Sequence, residues 1–183
     1  MTGGASAAEV VAALTAVDAG RDHRQLHVVD AQGRIAAHTG AACVDWCGHV
    51  ACDGCSVAGN MLAGPRVLDD TADAFLRSAD LPLAQRLLAA LDAGDAAGGD
   101  KRGRQSAALI VWTGEEYPFL DLRVDDHEQP FAELRRLHDR SLERYQPFVA
   151  CLPSRARPAG ITDRAAIEAE VERFHAARAG LAK

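Results

Sequence analysis

Gly98-Gly99-Asp100-Lys101-Arg102-Gly103-Arg104-Gln105-Ser106-Ala107-Ala108-Leu109-Ile110-Val111-Trp112 is the stretch from which the fold is read. Its first half is a Gly-rich loop with three cations and one acid. Its second half reads as a strand, and residues 107–112 carry no polar group except the indole N–H of Trp112. A strand with one wet face alternates apolar and polar residues; a run without alternation predicts a strand covered on both faces. A charged loop is therefore expected to lead directly onto a doubly buried strand, and loops held by a rigid scaffold are where sites tend to sit. The competing reading is a solvated connector after a helix.

Outward from this stretch the elements alternate irregularly. Upstream, Pro82 opens a helix with Leu83, Leu87 and Leu91 aligned, and Gly64-Pro65 opens another with Val67, Thr71 and Phe75 inward. Cys55–Asn60 reads as a short strand, residues 40–54 as loop punctuated by Gly40, Gly48 and Gly54. Residues 25–30 and Arg34–His38 read as a hairpin around Ala31-Gln32-Gly33. Ser6-Ala7-Ala8-Glu9 is a capping box opening a helix with Val10, Leu14 and Val17 on one stripe, ended by Gly20. Downstream, Leu120, Leu122 and Val124 alternate with Asp121, Arg123 and Asp125, a strand with one wet face. Pro130 starts a helix with Phe131, Leu134, Leu137, Leu142 and Tyr145 inward. Pro147, Pro153 and Pro158 then mark a linker before a helix over about 163–179, with Ile167, Val171 and Phe174 as its stripe. The order predicts an α+β fold. The expected domains are 1–146, a Pro-rich linker at 147–161, and a C-terminal helix within 162–183.

Composition narrows the function classes. The 183 residues suffice for one sizeable core, and with only 5% aromatics that core must rest on Ala, Val and Leu. A net charge of −6 argues against general nucleic-acid binding, which needs a basic face. No apolar run approaches the ~20 residues needed to span a bilayer, and the start shows no signal peptide. A cytoplasmic protein with reduced cysteines is expected, with neither nucleic acid nor membrane as partner.

Gly98-Gly99-Asp100-x-Arg102-Gly103-Arg104-Gln105-Ser106-Ala107-Ala108 and Asp121-Leu122-Arg123-Val124-Asp125-Asp126-His127 resemble the domain-of-unknown-function family ten-twenty-eight. So do Val29-Asp30-x-x-Gly33-Arg34-x-Ala36-x-His38-Thr39-Gly40 and Gly59-Asn60-x-Leu62. The resemblance runs from about Ala8 to Leu137. It implies an Ntn-hydrolase-like (N-terminal-nucleophile hydrolase) fold, a four-layer αββα sandwich of two stacked antiparallel sheets with helices outside. Family members begin with a longer segment carrying the first strands, so the sandwich is expected to be incomplete at the N-terminus here. The nucleophile of the wider group is the N-terminal Cys, Ser or Thr, whose α-amino group can serve as base. Thr2 would be exposed by loss of Met1, but Gly-Gly-Ala and a helix follow it, not a strand, so the catalytic residues stay unassigned.

Candidate binding residues are Asn60, Asp100, Arg102, Arg104, Gln105, Asp121 and Arg123. The arginines suit a carboxylate or phosphate, although the loop is no P-loop: it lacks Gly-Lys-Ser/Thr and leads into a strand. Against this stands a structural ion-pair network, in which the polar strand face that carries Asp121 and Arg123 pairs with Arg102 or Arg104. Asn60 suits a substrate carbonyl or a turn cap; His127 reads as a capping or surface residue. Cys43, Cys47, Cys52 and Cys55 with His49 suggest tetrahedral zinc, with correct spacing only in the Cys52–Cys55 half. The residue pattern otherwise suits buried thiols, and no metal or other cofactor is expected. A Cys-His-Asp triad from Asp45, Cys47 and His49 would be strained. Three readings stay open: an amide-bond hydrolase acting on a small-molecule or peptide-like substrate, a non-catalytic binding or assembly module, self-association included, and a zinc-stabilised domain.

Overall fold

The computed structural model describes residues 4–181, a mixture of helices and short strands that fits the α+β expectation. The chain divides into two compact units between Arg104 and Gln105. All three sheets of the described residues are two-stranded and antiparallel.

In the first unit, Ser6 and Glu9 cap each other's backbone N–H groups and start α1 (Ala7–Val17). Ala7 and Val11 are its buried residues; of the expected stripe Val10 is half-buried, while Leu14 and Val17 are exposed, Val17 at 85%. The cause is an anchor at the helix start. The Ala7 N–H donates to Asp30 Oδ2 at 3.2 Å, which brings the 7/11 face onto the hairpin. That hairpin pairs β1 (Gln25–Val29) with β2 (Ile35–Thr39), from Gln25 opposite Thr39 to Val29 opposite Ile35.

Asp30 explains the Asp-x-x-Gly-Arg motif physically. Its side chain is only 4% exposed. It accepts from the Gln32, Arg34 and Ala7 N–H groups and from Arg34 Nε, while Gly33 takes φ +77° to close the turn. Burial pushes the carboxyl upward, but Arg34 and the backbone N–H groups outweigh it and hold it down at about 2. A lowered native value stabilises the fold above the unfolded-state pKa of about 3.9, and this contribution fades as pH falls towards the native value. Asp30→Ala is therefore expected to lower Tm at neutral pH. Its deficit against the parent should shrink between about pH 4 and pH 2. A deficit that stays constant across that window in thermal melts would show that packing, not the charge, is what Asp30 supplies.

Residues 40–54, expected to be loop, contain a strand. β3 (Gly48–Cys52) pairs with β4 (Cys55–Gly59) around the two-residue turn Asp53-Gly54, with Gly54 at φ +67°. Asp-Gly is a strong hairpin signal; it was hidden by the weak strand formers Gly48 and Ala51. Helix α2 (Arg66–Arg77) buries Val67, Leu68, Ala72 and Phe75. Helix α3 (Leu83–Ala96) buries Ala84, Leu88, Ala90 and Gly94, not the expected Leu83-Leu87-Leu91 stripe. Small residues face inward because the two helices meet closely: a Cβ on Gly94 would lie 2.4 Å from Thr71 Oγ1. Neighbours in this unit run α1 against β1 and β2, these against β4 and β3, these against α2, and α2 against α3.

In the second unit, β5 (Ala107–Val111) pairs with β6 (Leu120–Val124). The expectation of a strand covered on both faces fails. Leu109 and Val111 are buried, but Ile110 is 43% and Trp112 59% exposed. Helix α4 (Pro130–Ser141) lies on one face, and composition alone could not reveal that the other is open. The β6 alternation is as expected, with Leu120 and Val124 inside and Asp121 and Arg123 outside. His138 and Ser141 of α4 are buried as well, while Tyr145 is exposed.

Residues 147–161, expected to be a linker, are held down. Pro147 is buried within α5 (Tyr145–Val149), Cys151 is buried, and the Ile161 N–H donates to Cys151 O at 2.8 Å. α6 (Arg164–Leu181) follows, with Val171 buried and Arg144 joined to Glu168 at 2.8 Å. Among the described residues no helix is long and apolar enough to cross a membrane.

Candidate functional site

A set of convergent polar side chains in the first unit lies where the two hairpins meet. Gln25 opens β1 and is half-buried. Its Nε2 lies 2.9 Å from Gly59 O, 3.0 Å from Gly48 O and 3.2 Å from Thr39 Oγ1. Its Oε1 accepts from Asn60 Nδ2 at 3.2 Å. One amide thus ties β1 and β2 to the first residue of β3, the last of β4 and the residue after it. Thr39 Oγ1 also lies 2.9 Å from Nδ1 of the exposed His49. Gln25 Nε2 is a donor only, so the Thr39 hydroxyl is left able to turn its own proton towards His49 Nδ1. That direction requires the His49 tautomer with its hydrogen on Nε2. A second hydroxyl–imidazole pair, Ser56 Oγ with His27 Nδ1 at 2.8 Å, joins β4 to β1, whereas Thr39 and His49 join β2 to β3.

Of the residues expected from sequence, Asn60 belongs to this cluster. The Gly-rich loop is knitted next to it: Asp100 forms a bridge with Leu62, the Lys101 N–H donates to Met61 O, and the Ala63 N–H to Gly99 O. The loop's cations all have partners within the unit. Arg102 bonds Asp100 at 2.5 Å, Arg104 bonds both oxygens of Asp95 at 2.7 and 2.8 Å, and Lys101 Nζ donates to Asp45 O. The Arg102 side chain, with its backbone N–H, holds the Asp100 carboxyl down at about 2. An incoming anion has to compete with carboxylates already in place. Gln105, Asp121 and Arg123 belong to the second unit. There Gln105 Nε2 donates to Asp126 at 2.9 Å, and Arg123 pairs at 3.1 Å with Asp121 of its own strand.

The zinc reading does not survive. Cys47 and Cys52 flank β3 at opposite ends, about 16 Å apart at ~3.3 Å per residue, so four thiolates cannot meet on one ion. No group of three or more His, Cys, Asp or Glu side chains suited to a metal occurs among the described residues. Asp45, Cys47 and His49 form no triad: Cys47 Sγ points to Cys43 O at 3.7 Å, and His49 bonds Thr39. Thr2 lies outside the described residues. The sequence reading overlooked Gln25 and Thr39. The available signal was polar Gln25 and His27 alternating within an otherwise apolar strand.

None of the curated proteins matches the chain. Among solved structures it is similar to the crystal structure of protein SPO2555 from Silicibacter pomeroyi, described as DUF1028. That match has 32% sequence identity and a TM-score of 0.79, over 88% of this chain and 70% of that one. The model of the DUF1028 family, a family of unknown function, matches residues 1–134. With most of its length matched and both comparisons agreeing, this chain belongs to the DUF1028 family.

Proposed function

We propose that the chain is built on the Ntn-hydrolase-like four-layer αββα scaffold and cleaves an amide bond in a small-molecule or peptide-like substrate. The neighbour order of the first unit, helix, hairpin, hairpin, helix pair, supports the scaffold. The observation that carries the chemistry is the Thr39 hydroxyl 2.9 Å from His49 Nδ1, with Gln25 fixing the hydroxyl's other side. A hydroxyl and an imidazole within hydrogen-bond reach form the minimal nucleophile–base pair. His49 takes the proton as Thr39 Oγ1 attacks a carbonyl and returns it to the leaving amine; a water, giving its proton to His49, then attacks the acyl-Thr39 ester and releases the acid, and His49 returns the proton to Thr39 Oγ1. Asn60 Nδ2, bonded to the same Gln25 amide that contacts Thr39, is the group suited to the substrate's carbonyl oxygen.

The test is hydrolysis of a panel of acyl anilides by the full chain. Thr39→Val and His49→Gln should each cut the rate by about 10²-fold or more. Turnover unchanged in both variants overturns the assignment. A second reading, a non-catalytic binding module, is favoured by one feature: among the described residues no acidic side chain hydrogen-bonds His49, so the base lacks the usual third partner. Its signature is saturable amide binding without turnover, weakened in Asn60→Ala.

A further inference from the structure

The β3–β4 hairpin ends in Cys52-Asp53-Gly54-Cys55, and Cys52 and Cys55 are directly paired across the strands. Opposed residues of an antiparallel pair have Cα atoms about 4.5–5.5 Å apart, inside the roughly 4.4–6.8 Å that a disulfide bridges. The Asp53-Gly54 turn, with Gly54 at φ +67°, fixes this pairing. The Cys52 thiol points across the turn at Cys55 O, 3.4 Å away. Both residues are half-buried, within reach of a small reagent. Cys43 and Cys47 lie beyond the other end of β3 and do not compete.

We infer that Cys52 and Cys55 form a reversible cross-strand disulfide at this hairpin tip, made and broken by exchange with a low-molecular-weight disulfide such as oxidised glutathione. Cys52 thiolate attacks one sulfur of the reagent and expels one glutathione thiolate. Cys55, deprotonated in turn, attacks the Cys52 sulfur of the mixed disulfide and expels the second. The chain gives up two protons and two electrons, and the reagent's S–S bond receives the electrons. Burial, then contact with Cys52, raises the Cys55 thiol above its usual range, and the nearby Arg86 guanidinium opposes this. First attack therefore falls to Cys52, and converting Cys52 to a mixed disulfide removes one of the influences holding the Cys55 proton. The loop closed is two residues long, so it restrains the unfolded chain little. Such a bond is easily reduced, which suits a responsive site better than a structural staple.

The experiment treats the full native chain with oxidised glutathione and reads intact mass. Expected is loss of two hydrogen atoms, reversal by a dithiol reductant, and, after cleavage before Asp53, two peptides joined through Cys52 and Cys55. Cys55→Ser should instead stop at a glutathione adduct on Cys52, and Cys52→Ser should react more slowly than Cys55→Ser. Any of three results overturns the inference: no reaction, a persistent glutathione adduct on the parent chain, or a loss of two hydrogens that survives in both serine variants.

Discussion

Leu134→Ala is expected to lower the unfolding free energy by about 2–5 kcal/mol, the range for emptying a fully enclosed leucine site. Leu134 is 0% exposed, at the centre of α4, and α4 is the cover of the β5–β6 sheet. The sheet presents Leu109, Val111, Leu120 and Val124 to that cover, all buried. A two-stranded sheet has little independent stability, so this single apolar layer carries most of what holds the strands. The cavity left by alanine would be walled by strand residues fixed by their ladder, which limits collapse and places the cost high in the range. Urea unfolding should show a lower midpoint with an unchanged m-value. Ile110→Ala, on the same sheet's open face, is the control and should stay within about 0.5 kcal/mol. Equal losses for both variants would mean that the open face is covered in solution.

That contrast also marks where sequence reading reached its limit. The periodic strand at Leu120–Val124 could be read correctly because alternation reports one wet face directly. The apolar run at 107–111 could not. Absence of alternation says which residues tolerate burial, not whether a neighbour exists to bury them. The Asp30 motif was legible because Asp, Gly and Arg each answer a local demand of one turn. Helix stripes failed at Leu83 and Val17 for the opposite reason. Which face of a helix turns inward was decided by tertiary anchors: the Ala7–Asp30 bond for α1, and the close approach at Gly94 for α3. The candidate site was half legible. Asn60 and the Gly-rich loop came from motifs, whereas the Gln25-Thr39-His49 hydrogen bonds join positions apart in sequence, visible only once two hairpins meet.

Gly40→Ala is expected to be strongly destabilising. Gly40 is buried where the chain leaves β2, its N–H donating to Arg24 O at 2.9 Å. A Cβ there would sit 2.3 Å from Asp22 O and 2.4 Å from Arg21 O, both main-chain atoms. Neither oxygen is free to retreat: Asp22 O accepts from the Ala42 N–H at 2.7 Å, and Arg21 O lies 2.9 Å from His38 Nε2. Relief requires moving the backbone and loosening these bonds, a strain of about 1–3 kcal/mol or more. Gly94→Ala supplies the comparison. Its added methyl meets a side chain, Thr71 Oγ1, at 2.4 Å, and alanine in a helix recovers about 1 kcal/mol of propensity. Thr71→Ala in the same chain should therefore rescue Gly94→Ala in a double-mutant cycle and leave Gly40→Ala unrescued. Rescue of neither would mean that the two helices cannot hold their separation once either surface changes. A Gly40→Ala chain with unchanged Tm would mean that the 21–24 turn shifts without cost, and that the grip of His38 and Ala42 on it is weak.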